Sequence, residues 1–195
     1  MKTLGKAIAA ASLAAVSINA VAVEGLSTTI GAATDYVFRG EKLGDASAYG
    51  SLDYEVAGFY AGVWAIDAGE TADDGLEVDL YLGYGVDLDG IDLGIGYTRY
   101  EYTTEDTPDF EHEINLSAAV AGFGLDIALG EADDDEDEAD YTVIQLSYGS
   151  GPWGVMLGSY DRDDEGAITE KEYKWAELSY AAEIGTFDVT ATAGR

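Results

Sequence analysis

The sequence predicts an all-β chain folded as an antiparallel up-and-down transmembrane β-barrel, with about eleven strands present and about twelve in the intact protein. Three observations predict it. Apolar and polar side chains alternate with period two over segments of strand length. Short and long connections alternate along the chain. The composition, 25 Gly and 14 Tyr against 2 Pro, suits strands joined by tight turns.

The amino terminus reads as an export signal. Lys2 and Lys6 form a positive start, Ala7 to Val21 carries no charge, and Ala20-Val21-Ala22 fits small-x-small cleavage. Residues 1–22 are expected to be a cleaved signal peptide and 23–195 the barrel, lacking its last strand. Loss of the two lysines takes the formal charge from −30 to −32. The apolar run is short for a helical anchor.

The first expected strand sets Leu26, Ile30, Ala32, Tyr36 and Phe38 against Ser27, Thr29, Asp35 and Arg39. The second sets Leu52, Tyr54 and Val56 against Ser51, Asp53 and Glu55. The clearest alternation puts Leu76, Val78, Leu80, Leu82, Tyr84, Val86 and Leu88 on one face, with Glu77, Asp79, Tyr81 and Asp87 on the other. The pattern returns at Ile91–Thr98, Glu113–Val120, Phe123–Leu129 and Phe187–Thr192. Four more mixed segments, 58–66, 141–148, 153–160 and 173–184, complete the count by spacing and aromatic content.

Short connections are expected near Gly58, Asp87–Gly90, Ala121–Gly122, Gly149–Pro152 and Gly185. Long acidic ones are expected at 40–46, 67–75, 103–109, 130–140 and 161–170. Short turns at one end and long loops at the other form the layout of outer-membrane barrels. That layout places Tyr36, Phe38, Phe110, Tyr141, Tyr160 and Tyr173 in an outer aromatic girdle. Tyr54, Tyr84, Phe123, Tyr148, Trp153 and Phe187 fall in an inner one. A soluble β-sandwich, which also alternates, is the competing fold.

The charge balance, 9 basic against 39 acidic residues, argues against a nucleic-acid partner. The absence of Cys excludes disulfides and thiolate metal sites. No catalytic motif is present, and the single His112 shares the lipid-facing parity of Ile114, so no enzyme, catalytic residue, cofactor or defined metal site is expected. Polar-face parity makes Asp35, Arg39, Asp53, Glu55, Glu77, Asp79, Glu113, Asp126 and Asp188 the candidate pore-lining residues. Carboxylates there would favour cations. The run from Glu131 to Asp140 reads as a solvated loop without calcium-loop spacing. The expected partners are outer-membrane lipid and lipopolysaccharide, with divalent cations at the acidic loops. The expected function is an outer-membrane porin-like channel for small solutes or ions. The alternative is a non-conducting structural or adhesion barrel.

Thr34-Asp35-Tyr36-Val37-Phe38-Arg39-Gly40 resembles the opening motif of the TorF family of porins. Leu52-Asp53-Tyr54, Gly58-Phe59-Tyr60-Ala61-Gly62-Val63-Trp64 and Glu77-Val78-Asp79-Leu80-Tyr81-Leu82-Gly83-Tyr84 are similar to its next three blocks, in order. The likeness covers residues 26–100 well. Glu41-Lys42-Leu43 and Ala65-Ile66 depart from the family pattern. The resemblance implies a porin-type outer-membrane barrel.

Overall fold

The computed structural model describes residues 15–69, 75–103, 110–134, 137–163 and 170–194. Fourteen strands run in chain order as β1 (Ala15–Val23), β2 (Leu26–Ala33), β3 (Tyr36–Phe38), β4 (Glu41–Gly44), β5 (Ser47–Val56), β6 (Phe59–Gly69) and β7 (Gly75–Leu88), then β8 (Ile91–Tyr102), β9 (Phe110–Val120), β10 (Phe123–Asp134), β11 (Asp137–Ser150), β12 (Trp153–Arg162), β13 (Lys171–Ile184) and β14 (Phe187–Gly194). No helix occurs among the described residues.

The eleven strands expected from alternation are β2 and β5 to β14. Each pairs antiparallel with its neighbours in order, and β1 pairs both β2 and β14 to close the sheet into a barrel. The closing ladder with β14 is short, from Ala15↔Thr190 to Ser17↔Asp188. β1 overlaps the segment expected to be a cleaved signal, so one stretch of apolar and small residues serves both readings. Residues 1–14 lie outside the described residues.

The turns explain the regular register. Ala57-Gly58, Asp89-Gly90 and Ala121-Gly122 each have two successive positive φ values. That is the backbone of the two-residue hairpin whose twist matches that of its strands. Neighbouring hairpins are tied together at this end: Gly85 N donates to Gly58 O at 2.8 Å and Gly149 N to Gly122 O at 2.8 Å.

Alternation sorts the two faces as expected over most of the wall. Large apolar side chains stand outward, with Ile30 70%, Leu82 58% and Phe123 61% exposed, while Glu77 is 2% and Glu113 0% exposed. The interior is packed by a device that parity alone does not reveal. Cross-strand register sets Gly31 opposite Tyr49, Gly62 opposite Tyr81, Tyr60 opposite Gly83, Gly130 opposite Tyr141 and Gly158 opposite Trp175. In each pair a Cβ on the glycine would run into the facing ring. The rings lie flat on the wall because their partners have no side chain.

Three expectations are corrected. First, the opening strand stops at Ala33 and the chain turns inward, so Asp35 and Arg39 leave the wall and Tyr36 is buried. Second, the outer girdle does not form from the residues assigned to it. Tyr36, Tyr141 and Tyr160 are 1%, 3% and 7% exposed in the interior: Tyr141 and Tyr160 stand at the inward phase of β11 and β12, Gly130 leaves room for the Tyr141 ring, and the hairpin carries Tyr36 inside. The Phe110 side chain lies outside the described residues. Third, the run from Glu131 to Asp140 is mostly strand: Glu131 pairs Asp140, Ala132 pairs Ala139 and Asp134 pairs Asp137. Ala132 and Ala139 are buried on the inner face, and small apolar residues at period two carry β10 and β11 upward despite the charge. Residues 135–136 lie outside the described residues. At the short-turn end Tyr54, Tyr84, Phe123, Tyr148, Trp153 and Phe187 all stand outward and exposed, and the outward pairs Phe59–Tyr84, Phe123–Tyr148 and Trp153–Tyr180 have ring separations of 4.7, 4.6 and 4.8 Å.

Candidate functional site: a hairpin docked in the lumen

Strands β3 and β4 form their own two-stranded sheet. The turn between them, Arg39-Gly40, has φ of +50° and +82°, the same backbone as the rim turns. This hairpin leaves the long-connection end of the barrel and folds into its interior. Gly40 sits so close to β13 that a Cβ there would lie 2.6 Å from Cβ of Trp175.

Arg39 anchors the tip. Its Nη2 donates to both carboxylate oxygens of Glu113 at 2.9 and 2.8 Å, and the two residues are 4% and 0% exposed. Glu113 also accepts from Tyr100, from Tyr141 at 3.2 Å and from Asn115 Nδ2 at 3.0 Å. A buried carboxylate tolerates burial when its lone pairs are filled in this way. Three barrel strands and the hairpin turn meet at this single anion, since Tyr100 comes from β8, Glu113 and Asn115 from β9, Tyr141 from β11, and Arg39 from the turn between β3 and β4. The guanidinium also lies over the Phe38 ring at 4.5 Å.

Two further contacts fix the flanks. The Tyr36 hydroxyl donates to Glu77 at 2.8 Å. Lys171 on β13 donates to Glu41 at 2.6 Å. At the exposed base, Lys42 pairs with Asp35 and, at 2.7 Å, with Asp45. The hydrogen bond from Lys42 holds the Asp35 carboxyl below its ordinary value, and the same bond raises the Lys42 ammonium.

Beneath the hairpin lies a cavity of about 260 Å³. Its roof is Tyr36, Phe38 and Arg39. Its walls include Ser51, Trp64, Asp79, Tyr81, Asn115, Asp126 and Gln145. Opposite, Tyr141, Tyr160 and Tyr173 stack in a row across β11, β12 and β13, with ring separations of 5.4 and 5.2 Å.

The nine residues expected to line a pore are therefore distributed unevenly. Glu77, Asp79 and Glu113 come together on the inner wall, with Arg39 brought to them by the hairpin, and Asp126 lines the same cavity nearer the short-turn end. Asp53 is also inside, accepting from Tyr81 and from Ser51 Oγ at 2.8 Å. Glu55 and Asp188 are exposed near the short-turn end, and Asp35 is exposed at the hairpin base. Sequence reasoning missed Tyr36, Trp64, Tyr100, Tyr141, Trp175 and Lys171. Two signals could have found them: an Arg-Gly pair matching the other turn pairs, and aromatic residues placed in register with glycines. His112 stays on the outer face, 6.0 Å from the Tyr97 ring centroid and 3.7 Å from Glu131. Among the described residues no three acidic or imidazole groups converge as a metal site would require. The side chains of 133–138 lie outside them.

No curated protein and no solved structure matches the chain. A family model described as a bacterial protein of unknown function, Gcw_chp, matches residues 19–194, which takes in the hairpin, the cavity walls and every strand from β2 to β14, and the chain belongs to that family.

Proposed function

We propose that this protein is an outer-membrane porin-like channel for small solutes or ions, cation-preferring and of TorF type, narrowed by the docked hairpin. The observation that carries the reading is the inversion of its faces. Large apolar side chains stand exposed on the outer face from β2 to β14, while Glu77, Glu113 and Arg39 are sealed inside. A water-soluble monomer does not present an apolar band of that extent, whereas a barrel in lipid requires one. Cation preference follows from the interior balance: Asp53, Glu77, Asp79, Glu113 and Asp126 outnumber Arg39 around the cavity and hairpin tip.

The test is planar-bilayer recording from the refolded protein. Single-channel steps with a reversal potential favouring cations are expected. Neutralising Asp53, Glu55 and Asp79 together should reduce that preference, and an unchanged reversal potential would contradict the lumen assignment. One observation favours a second reading, a non-conducting barrel that presents acidic surfaces for adhesion: the hairpin tip is fully buried against the far wall. Absence of any conductance step from correctly inserted protein would select that reading.

A further inference from the structure

The cavity beneath the hairpin carries more negative charge than its own residues neutralise. Asp79 from β7 and Asp126 from β10 line it, and Glu77 stands two residues from Asp79 on the same face. The guanidinium at its roof, Arg39, is committed to both oxygens of Glu113. Oδ1 of Asp79 is shielded from solvent and has no hydrogen-bond partner. A carboxyl group withdrawn from water in this way takes up a proton or is met by a counter-charge.

The walls say what kind of counter-charge fits. A metal ion needs several oxygen donors converging on a point, and no such group occurs among the described residues. The cavity instead sets aromatic faces beside its carboxylates: Tyr60, Trp64 and Tyr81 line it together with Asp79 and Asp126. Aromatic faces and carboxylates in one enclosure recognise organic cations, the rings through their negative faces and the acids through charge. The volume, about 260 Å³, admits a compact molecule and no long chain.

We infer that this cavity is a binding site for a small organic ammonium ion, held by Asp79 with its alkyl surface against Trp64 and Tyr81. The site deepens the channel reading, because it lies within the lumen that a solute would cross. Asn115 and Gln145 on the same wall supply neutral hydrogen-bonding groups for a polar substituent.

The experiment is calorimetric titration of the full chain, refolded in detergent micelles at pH 7. The probes are ethanolammonium chloride and tetramethylammonium chloride, with neopentyl alcohol as a neutral probe of similar shape and sodium chloride at matched ionic strength. Saturable binding of the ammonium probes is expected, with none for the alcohol or sodium. Asp79→Asn, checked for retained strand signal, should weaken binding on the order of tenfold. Three results would overturn the inference: no saturable binding of either ammonium probe, equal binding of neopentyl alcohol, or a folded Asp79→Asn variant that binds as the parent does. The comparison of charged and neutral probes uses the parent protein alone, so it decides even if a variant fails to fold. Binding in micelles without conductance steps would keep the site and remove the channel. Steps without binding would do the reverse.

Discussion

Replacing Arg39 by Ala should release the hairpin without dismantling the barrel. The substitution removes a guanidinium that is 4% exposed and leaves Glu113, at 0% exposure, without its only cationic partner shown in contact. Tyr100, Tyr141 and Asn115 still donate to it, but three neutral donors do not replace a charge. Removing one member of a buried pair costs about 3–5 kcal/mol, which multiplies the undocked population by roughly two to three orders of magnitude. The cost falls on the docked hairpin, since β3 and β4 pair with each other and not with the barrel sheet. Trypsin reads this directly. Cleavage after Lys42 requires the hairpin to open, and its rate follows the open population when closing outruns cleavage. The single variant should be cut faster by a factor of at least about a hundred, while the barrel's thermal transition in micelles moves little. Pairing Arg39→Leu with Glu113→Leu should restore much of the protection, because the buried charge is then gone as well. Unchanged trypsin sensitivity in Arg39→Ala, or a double variant as sensitive as the single ones combined, would refute the argument that this ion pair holds the hairpin in place.

Gly40→Ala adds a methyl group 2.6 Å from Trp175 Cβ at a φ of +82°, so it should undock the hairpin by about 1–2 kcal/mol from backbone strain alone, read again as tryptic cleavage after Lys42. Asp35 should titrate below 3.8 by carboxyl NMR and return toward that value in Lys42→Ala. Its folded value is depressed, so the pair's contribution is present above 3.8 and is lost as pH falls through the lower folded value. Leu82→Arg puts a charge on an outward position 58% exposed in mid-strand, and folding into lipid vesicles, followed by gel mobility shift, should lose about 2–4 kcal/mol. The same change should be far milder in a protein whose outer face meets water, which makes it a direct contrast with the sandwich reading.

The wall of the barrel was legible because its rule is local. From Leu76 to Leu88 every second residue is large and apolar, and a strand turns that spacing into a face whatever it pairs with. The two-residue turns were equally legible, since Ala57-Gly58 and Asp89-Gly90 carry the required glycine at the second position. The hairpin was not, because its alternation runs on from β2 in phase: Tyr36 and Phe38 continue the parity of Ile30 and Ala32 across the bend at residues 34–35. Parity gives the face of a residue relative to its own strand and is silent about a strand that leaves the sheet. The outer aromatic girdle failed for a related reason. Tyr141 and Tyr160 share the inward parity of Val143 and Gly158, and the room for the Tyr141 ring comes from Gly130, which faces it only through a pairing register that no single segment encodes.

The two layers of the molecule divide the charge between them in a way that bears on how it opens. The wall supplies nearly all the interior carboxylates, and the hairpin supplies Arg39, the cation at their centre. Docking therefore lowers the interior's negative potential where Glu77, Asp79 and Glu113 crowd together, and undocking exposes it. A cation entering the cavity competes with Arg39 for that field, and an anion does not. Occupancy of the lumen by cations should consequently weaken the hold on the hairpin. Raising potassium chloride from low to molar concentration should speed tryptic cleavage after Lys42 in the parent protein and have little further effect in Arg39→Ala. Equal acceleration in both would mean that salt acts on the exposed Lys42–Asp35 pair alone, and that the buried charges play no part in holding the hairpin shut.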